Sequence, residues 1–331
     1  MGQPWSSHAL QMKILVTGGA GFIGSHIVEQ LHGRAEVRVL DNLRSGFHHN
    51  LNGLRHEFIA GSILDRDVVR QAMHDVDYVF HLAAMVSVPQ SVQQPEECSA
   101  INTTGTLIVL EEAVRAGVKK LAFSSSAAIY GDSPVVPKVE TMPPAPVSPY
   151  AATKLEGEVF CAQFAREGRL ATVCLRYFNV FGARQDPRSQ YAAAVPAFIE
   201  RALRNEPLTI YGDGEQTRDF VPVETVAAAN IFLATQSDAT GVFNVASGEA
   251  ITVNQLAKSI CELTGSRSEI KHAPERLGDV KHSRADIARL LATGFSTTHD
   301  FSTALQATVR HFQTREKYIQ HGFKPLRVSN A

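Results

Sequence analysis

The chain has 331 residues, about twice the usual domain size, so either one large α/β domain or a main domain with a smaller lobe is expected. Its 32 Lys+Arg against 33 Asp+Glu leave a formal charge of −1 without a basic block, which counts against nucleic-acid and membrane-surface partners and leaves small anionic ligands open. Four scattered cysteines, none in a CxxC or CxxH pair, suggest neither a zinc site nor a disulfide framework, so no metal and reduced thiols in a cytoplasm are expected.

Residues 1–11 lack the charged start and apolar middle of a signal peptide and read as a disordered tail; no apolar run reaches the roughly 18 residues that span a bilayer. From Met12 short β-branched runs alternate with helical stretches: Ile14 to Thr17, Val37 to Leu40, Phe58 and Ile59, Tyr78 to Phe80, Leu121 to Phe123 and Val173 to Leu175. Alternation of this kind predicts βαβ units, and near-continuous apolar runs predict a parallel sheet covered by helices on both faces. The expected fold class is α/β, doubly wound, with its chemistry at the C-terminal ends of the strands.

The first strand runs into a glycine turn that holds GxGxxG as Gly19, Gly21 and Gly24, and the looser GxxGxxG as Gly18, Gly21 and Gly24. Glycines permit a tight turn and close approach to a pyrophosphate, which would rest on the N-terminus of a helix starting near Phe22 and Ile23, as in a Rossmann-type domain. Asp41 closes the second strand 17 residues after Gly24, where a carboxylate binds a ribose 2′-hydroxyl and repels a 2′-phosphate. Asn42 follows it, and the one nearby cation is Arg44, so NAD is expected rather than NADP. After the third strand come Ser62 and Ile63, with Ser62 able to hydrogen-bond an adenine. The fourth ends in His81-Leu82-Ala83-Ala84, whose small residues let backbone approach a cofactor, and His81 reads as structural.

Tyr150 and Lys154 lie four residues apart on a helix predicted from about Pro149, so they share one face. The ammonium would stabilise a phenolate, bringing a tyrosine that titrates near 10 into range as a general base. With the hydroxyl run Ser124-Ser125-Ser126 ending the fifth strand, the set predicts alcohol–ketone redox chemistry at a nicotinamide. Beyond Asn179, loops rich in Gly, Pro and Arg separate helical stretches around 194–203, 226–234 and 253–263, which reads as a ligand lobe. The expected division is an NAD-binding domain over 12–180, rejoined by about 222–248, a UDP-sugar lobe over 181–221 and 249–318, and a tail over 319–331.

At these motifs the chain resembles the extended short-chain dehydrogenase/reductases, and among them the nucleotide-sugar 4-epimerases, from Met12 to about Phe295. The resemblance is carried by Thr17 to Gly24, Asp41 to Leu43, His81 to Ala84, Ser124 to Gly131, Ser148 to Lys154, Arg176 to Gly182, Gly212 to Gly214, Arg218 to Phe220 and Gly278 to Val280. It implies Tyr150 as general base, Lys154 as the residue that lowers its pKa and holds the nicotinamide ribose, and Ser126 as the hydroxyl that binds the sugar O4 and relays the proton. It further implies Tyr177 beside that ribose, Asn179 on the diphosphate or sugar, Arg218 and Arg276 on the pyrophosphate, and Asp279 on the uridine ribose.

The family's dehydratases carry an Asp-Glu pair where Ala127-Ala128 stand here, and its epimerases confined to UDP-glucose and UDP-galactose carry a Tyr where Ser283 falls. A small residue there leaves space for a 2-acetamido group; Ser283 equally fits a solvated loop. The expected activity is reversible C4 epimerisation of a UDP-hexose through a 4-keto intermediate with tightly bound NAD. UDP-N-acetylglucosamine and UDP-N-acetylgalactosamine are the preferred pair, and UDP-glucose and UDP-galactose a further one. A nucleotide-sugar decarboxylase or 4-ketoreductase and a non-catalytic NAD(H) sensor are the alternatives. The resemblance also implies a homodimer through helices near 100–116 and 150–166, where Leu107, Leu110 and Val114 fit a bundle face and equally a core.

Overall fold

A computed structural model describes residues 12–187, 194–275, 281–296 and 299–320. In chain order the first part comprises β1 (Lys13–Thr17), α1 (Phe22–Leu31), β2 (Glu36–Asp41), β3 (Glu57–Ala60), α2 (Arg66–Ala72), β4 (Tyr78–His81), α3 (Val88–Gln93) and α4 (Pro95–Ser99). It continues with α5 (Gly105–Arg115), β5 (Lys120–Ser126), α6 (Pro149–Arg166) and β6 (Ala171–Tyr177). The remainder comprises β7 (Asn179–Phe181), α7 (Ala194–Leu203), β8 (Leu208–Tyr211), β9 (Thr217–Arg218), β10 (Phe220–Pro222), α8 (Val223–Thr235) and β11 (Gly241–Val245). Last come β12 (Ile251–Thr252), α9 (Val253–Thr264), β13 (Ile270–Ala273), α10 (Ala288–Leu291) and α11 (Phe301–Gln320).

Seven strands form one parallel sheet in the order β11-β6-β5-β4-β1-β2-β3, the doubly wound arrangement expected from the alternation. The chain leaves β1 toward β2 and β3, then returns to build β4, β5 and β6 on the other side. That reversal opens a crevice between the C-terminal ends of β1 and β4, where such sheets bind ligands. Successive residues of β1 feed opposite cores: Ile14 and Val16 pack with residues of α1 and α8, and Leu15 with those of α2, α5 and α6. Burial on both faces is why the strands read as continuous apolar runs. Helix α8, apolar almost all round, lies against α1 and the sheet, and β11 joins the sheet beside β6.

The rest of the second part builds its own core from Phe198, Ile199, Leu256, Ile260, Leu305 and Phe312, edged by the two-stranded pairs β7–β10, β9–β12 and β8–β13. Two expectations change. Helix α11 runs through Ile319 and Gln320, two positions into the stretch read as tail. The helix expected over 100–116 opens with a π-helical turn, Ala100–Thr104, before α5. Among the described residues no helix is long and apolar enough to cross a membrane.

Candidate active site

A cleft of about 820 Å³ opens at the β1–β4 reversal. Gly18, Gly21, Phe22, Ile23, Gly24, Asp41, Asn42, Ser62, Ile63, Leu82, Ala83, Ala84, Ser126, Tyr150, Lys154 and Tyr177 all line it. The glycine turn is shaped by sterics. Gly18 sits at φ +71°, and a Cβ there would lie 2.7 Å from the Ala83 nitrogen; one on Gly24 would lie 2.2 Å from the Gly18 carbonyl oxygen. Glycine thus lets the loops after β1 and β4 touch and lets α1 begin against the turn. No side chain caps α1 at Gly21, so its first N–H groups face the cleft with no intrahelical partner, a ready seat for a diphosphate.

Asp41 receives the Ala20 N–H at 2.9 Å and the Leu43 N–H at 2.8 Å, which fixes the carboxylate at the rim of this seat. Burial pushes its pKa up, and those two donors pull it down. Arg44, the cation expected nearest a 2′-phosphate, is held in a forked pair by Glu97. A 2′-phosphate would therefore meet two carboxylates and a neutralised guanidinium, whereas ribose hydroxyls can donate to Asp41. Ser62 Oγ accepts the Leu64 N–H at 3.2 Å and keeps its own proton to donate. Nearby Asp65 is occupied as the cap of α2.

Ser148 caps α6 and Pro149 starts it, which sets Tyr150 in the first turn and Lys154 one turn on. Side chains alternate along the end of β5. Ser126 faces the Tyr150 phenol, Ser124 the Tyr177 phenol, and Ser125 turns the other way to donate to Glu158 at 2.5 Å. Buried Lys154 donates to the Ser124 carbonyl at 2.7 Å, with its nitrogen 5.9 Å from the centre of the Tyr150 ring.

The electrostatics depart from the expectation that Lys154 brings the tyrosine down. Burial pushes the Tyr150 pKa up, and the group that opposes it is the Ser126 hydroxyl. Burial also lowers Lys154 to about 8. The ammonium is spent on the Ser124 carbonyl, so the protein alone holds Tyr150 as a phenol. Tyr177 donates to Asn230 of α8 at 2.9 Å, and burial pushes its pKa up as well.

Of the described residues expected on the sugar nucleotide, Ser126 and Tyr150 line the cleft, whereas Asn179, Arg218 and Ser283 lie outside its lining. Asn179 opens β7, and its N–H donates to the Asp219 carbonyl at 3.1 Å. Arg218 donates to the Thr217 carbonyl at 2.9 Å and approaches that of Lys281 at 3.5 Å. Ser283 lies beside it, its N–H on the Thr217 carbonyl at 3.1 Å. Arg276 and Asp279 fall outside the described residues. The sequence reading missed Asn102, whose amide in the π-turn ties Met85 of the β4 loop to Thr153 of α6. Among Ser99, Thr103, Thr104 and Thr106 nothing in the sequence sets this amide apart. Among the described residues no cluster of His, Cys, Asp and Glu suits a metal ion.

The family model described as NAD dependent epimerase/dehydratase matches residues 14–246, from the first strand to the end of β11. The chain belongs to that family. A solved UDP-N-acetylglucosamine 4-epimerase from Methanobrevibacter ruminantium, bound to UDP-N-acetylmuramic acid, is 43% identical with TM-score 0.89, over 92% of this chain and 99% of that one. A UDP-glucose 4-epimerase of Thermus thermophilus complexed with NAD is 39% identical with TM-score 0.84, over 91% and 99%. A putative UDP-glucose 4-epimerase of Methanocaldococcus jannaschii is 36% identical over 92% of this chain and 99% of its own length. Other chemistry occurs among relatives: a UDP-N-acetyl-alpha-D-glucosaminuronate decarboxylase of Bacillus cytotoxicus is 31% identical over 93% and 99%. The protein is thus an enzyme of an NAD-dependent family, and NAD is its cofactor.

Proposed function

We propose that this enzyme interconverts UDP-hexoses epimeric at C4. The observation that carries the reading is the meeting of Ser126, Tyr150 and Lys154 at the end of β5, followed by Ala127-Ala128 in place of any carboxylate able to expel water. The bound dinucleotide supplies a hydride acceptor that can return the hydride, and in its oxidised form a positive charge. With that charge beside it Tyr150 would stand as the phenolate and take the sugar O4 proton through Ser126, which holds O4, and Lys154 would keep the nicotinamide ribose in place. Asp41 and the uncapped end of α1 hold the cofactor. Arg218, Asn179, Arg276 and Asp279 grip the nucleotide while the 4-keto ring turns over.

Preference for the 2-acetamido sugars rests on Ser283, half-buried beside Arg218, where a small side chain leaves space. We read 12–180 with 222–248 as the NAD-binding domain and 181–221 with 249–318 as the sugar lobe. The helices α5 and α6 are read as a homodimer face that uses exposed Val159, 56% accessible, rather than Leu110, which the core absorbs. A monomeric mass by light scattering would overturn that. Four free cysteines fit a cytoplasmic setting, which cell fractionation checks.

Proton NMR of the protein with UDP-N-acetylglucosamine or UDP-glucose, without added nicotinamide, tests the activity. Signals of the axial 4-hydroxyl epimer, appearing faster from the acetamido sugar, are expected. Turnover of UDP-glucose alone removes the preference, and no epimer from either sugar removes the reading. NADH formed in proportion to product would favour an oxidative decarboxylase, and added NADH consumed in proportion to product a 4-ketoreductase.

A further inference from the structure

Asp219 lies between β9 and β10, fully buried, and no step above uses it. Burying a carboxylate is costly unless its lone pairs are satisfied, and here four donors converge on it. Oδ1 accepts the Ser247 N–H at 2.8 Å and the Ser247 hydroxyl at 2.7 Å. Oδ2 accepts the N–H groups of Gly248 and Ala285, each at 3.1 Å. Its main-chain carbonyl takes the Asn179 N–H at 3.1 Å. One residue therefore joins the start of β7, the β9–β10 junction, the turn after β11 and the segment that carries Ser283.

The segments gathered share one property. Asn179 is bonded to Asp219 directly, Arg218 precedes it in the chain, and Ser283 stands two residues before Ala285. None of Asp219's partners lines the cofactor cleft. The three residues on its carboxylate, Ser247, Gly248 and Ala285, stand beside the expected substrate residues rather than in the cofactor cleft.

We propose that Asp219 is a positioning residue for the sugar nucleotide: its buried carboxylate fixes the Ser283 segment against the turn after β11, while its main chain holds Asn179 and continues from Arg218, without touching the ligand. The proposal rests on the reading that those residues bind a UDP-sugar. Asp219→Asn keeps an oxygen for Ser247 but turns an amide N–H2 toward the Gly248 and Ala285 N–H groups. Ser247→Ala removes one donor and leaves the charge.

The test is calorimetric titration of UDP into NAD-loaded wild type and both variants, with steady-state kinetics and NAD content alongside. In Asp219→Asn the UDP affinity falls and KM rises about tenfold or more, and in Ser247→Ala about threefold; kcat stays within about threefold and NAD content is unchanged. Wild-type UDP affinity in both variants overturns the proposal, as does NAD content falling together with UDP affinity. If Asp219→Asn fails to fold, unchanged UDP affinity in Ser247→Ala overturns it. A wild type that binds no UDP overturns the functional reading and this proposal with it, which separates the two failures.

Discussion

Tyr150 shows what a four-residue spacing can and cannot reveal. The i, i+4 relation put Tyr150 and Lys154 on one face of α6, and the structure sets both in the cleft. It could not show that Lys154 would bond the Ser124 carbonyl, or that burial would raise the phenol with only the Ser126 hydroxyl opposing it. A half-buried phenol in the cleft lining that faces one hydroxyl is placed for proton transfer, and replacing its oxygen by hydrogen keeps the ring's packing. Tyr150→Phe is therefore expected to reduce turnover by about 10²- to 10⁴-fold while the protein still retains NAD. Epimer formation measured by NMR, with cofactor content from absorbance, checks it; turnover near the wild-type rate would remove Tyr150 from its role. His81 was legible as structural for a different reason. Its Nε2–H donates to Thr106, which itself donates to the Asn102 carbonyl, and its Nδ1 accepts from Thr17. The hydrogen-bond network thus assigns a neutral ring with no lone pair left for chemistry.

At the scale of elements, what was legible is what lies close along the chain. The glycine turn, the Ser148-Pro149 start of α6 and the serine run at the end of β5 are each encoded within a few residues, so their geometry follows from local sterics. Contacts that need two distant elements in register were not legible, and the α6–β6 pairing is the clearest. Arg176 of β6 grips Glu158 of α6 through two bonds of 2.8 and 2.7 Å, both side chains are buried, and Glu158 also receives Ser125. Glu158 lies one turn beyond Lys154, so this pair fixes how α6 presents its catalytic face to β5. Removing one partner leaves the other charge buried and alone. Arg176→Met should cost about 3–5 kcal/mol, and the double change Arg176→Met with Glu158→Gln distinctly less. Urea unfolding of the four members of the cycle measures this, and additive losses would show that the two residues are not coupled.

At the scale of the whole molecule, two buried histidines tie the parts together and make stability depend on pH. His81 joins β1, β4 and the helix after the π-turn; its pKa is held at about 3 by burial, with the Lys154 charge adding to it. His26 of α1 donates to the Ala183 carbonyl in the segment leading away from β7, and burial, then the Arg184 charge, lowers it to about 3. The sequence placed each in a helix or strand, but only tertiary packing makes them uncharged. Each is free to take a proton in the unfolded chain near pH 6.5 and refuses one in the native state down to about pH 3. The unfolded form therefore binds more protons throughout that interval, so the stabilising contribution is complete above 6.5 and drains away as pH falls. Asp41 and Asp219 act in the opposite sense, since burial raises their pKa values and the native state gains protons first as pH falls toward the ordinary carboxylate range. Between about pH 7 and about pH 5 the loss is about 2 kcal/mol for each of the two, and comparison with a variant cancels what the carboxyls and His311, also lowered by burial, contribute to both proteins. With NAD in excess at both values, urea unfolding should show wild type losing both contributions and His81→Asn only that of His26. Equal losses in the two proteins would mean that His81 is already protonated in the native fold, which would break the hydrogen-bond chain from Thr17 to Asn102 that orders the floor of the cleft.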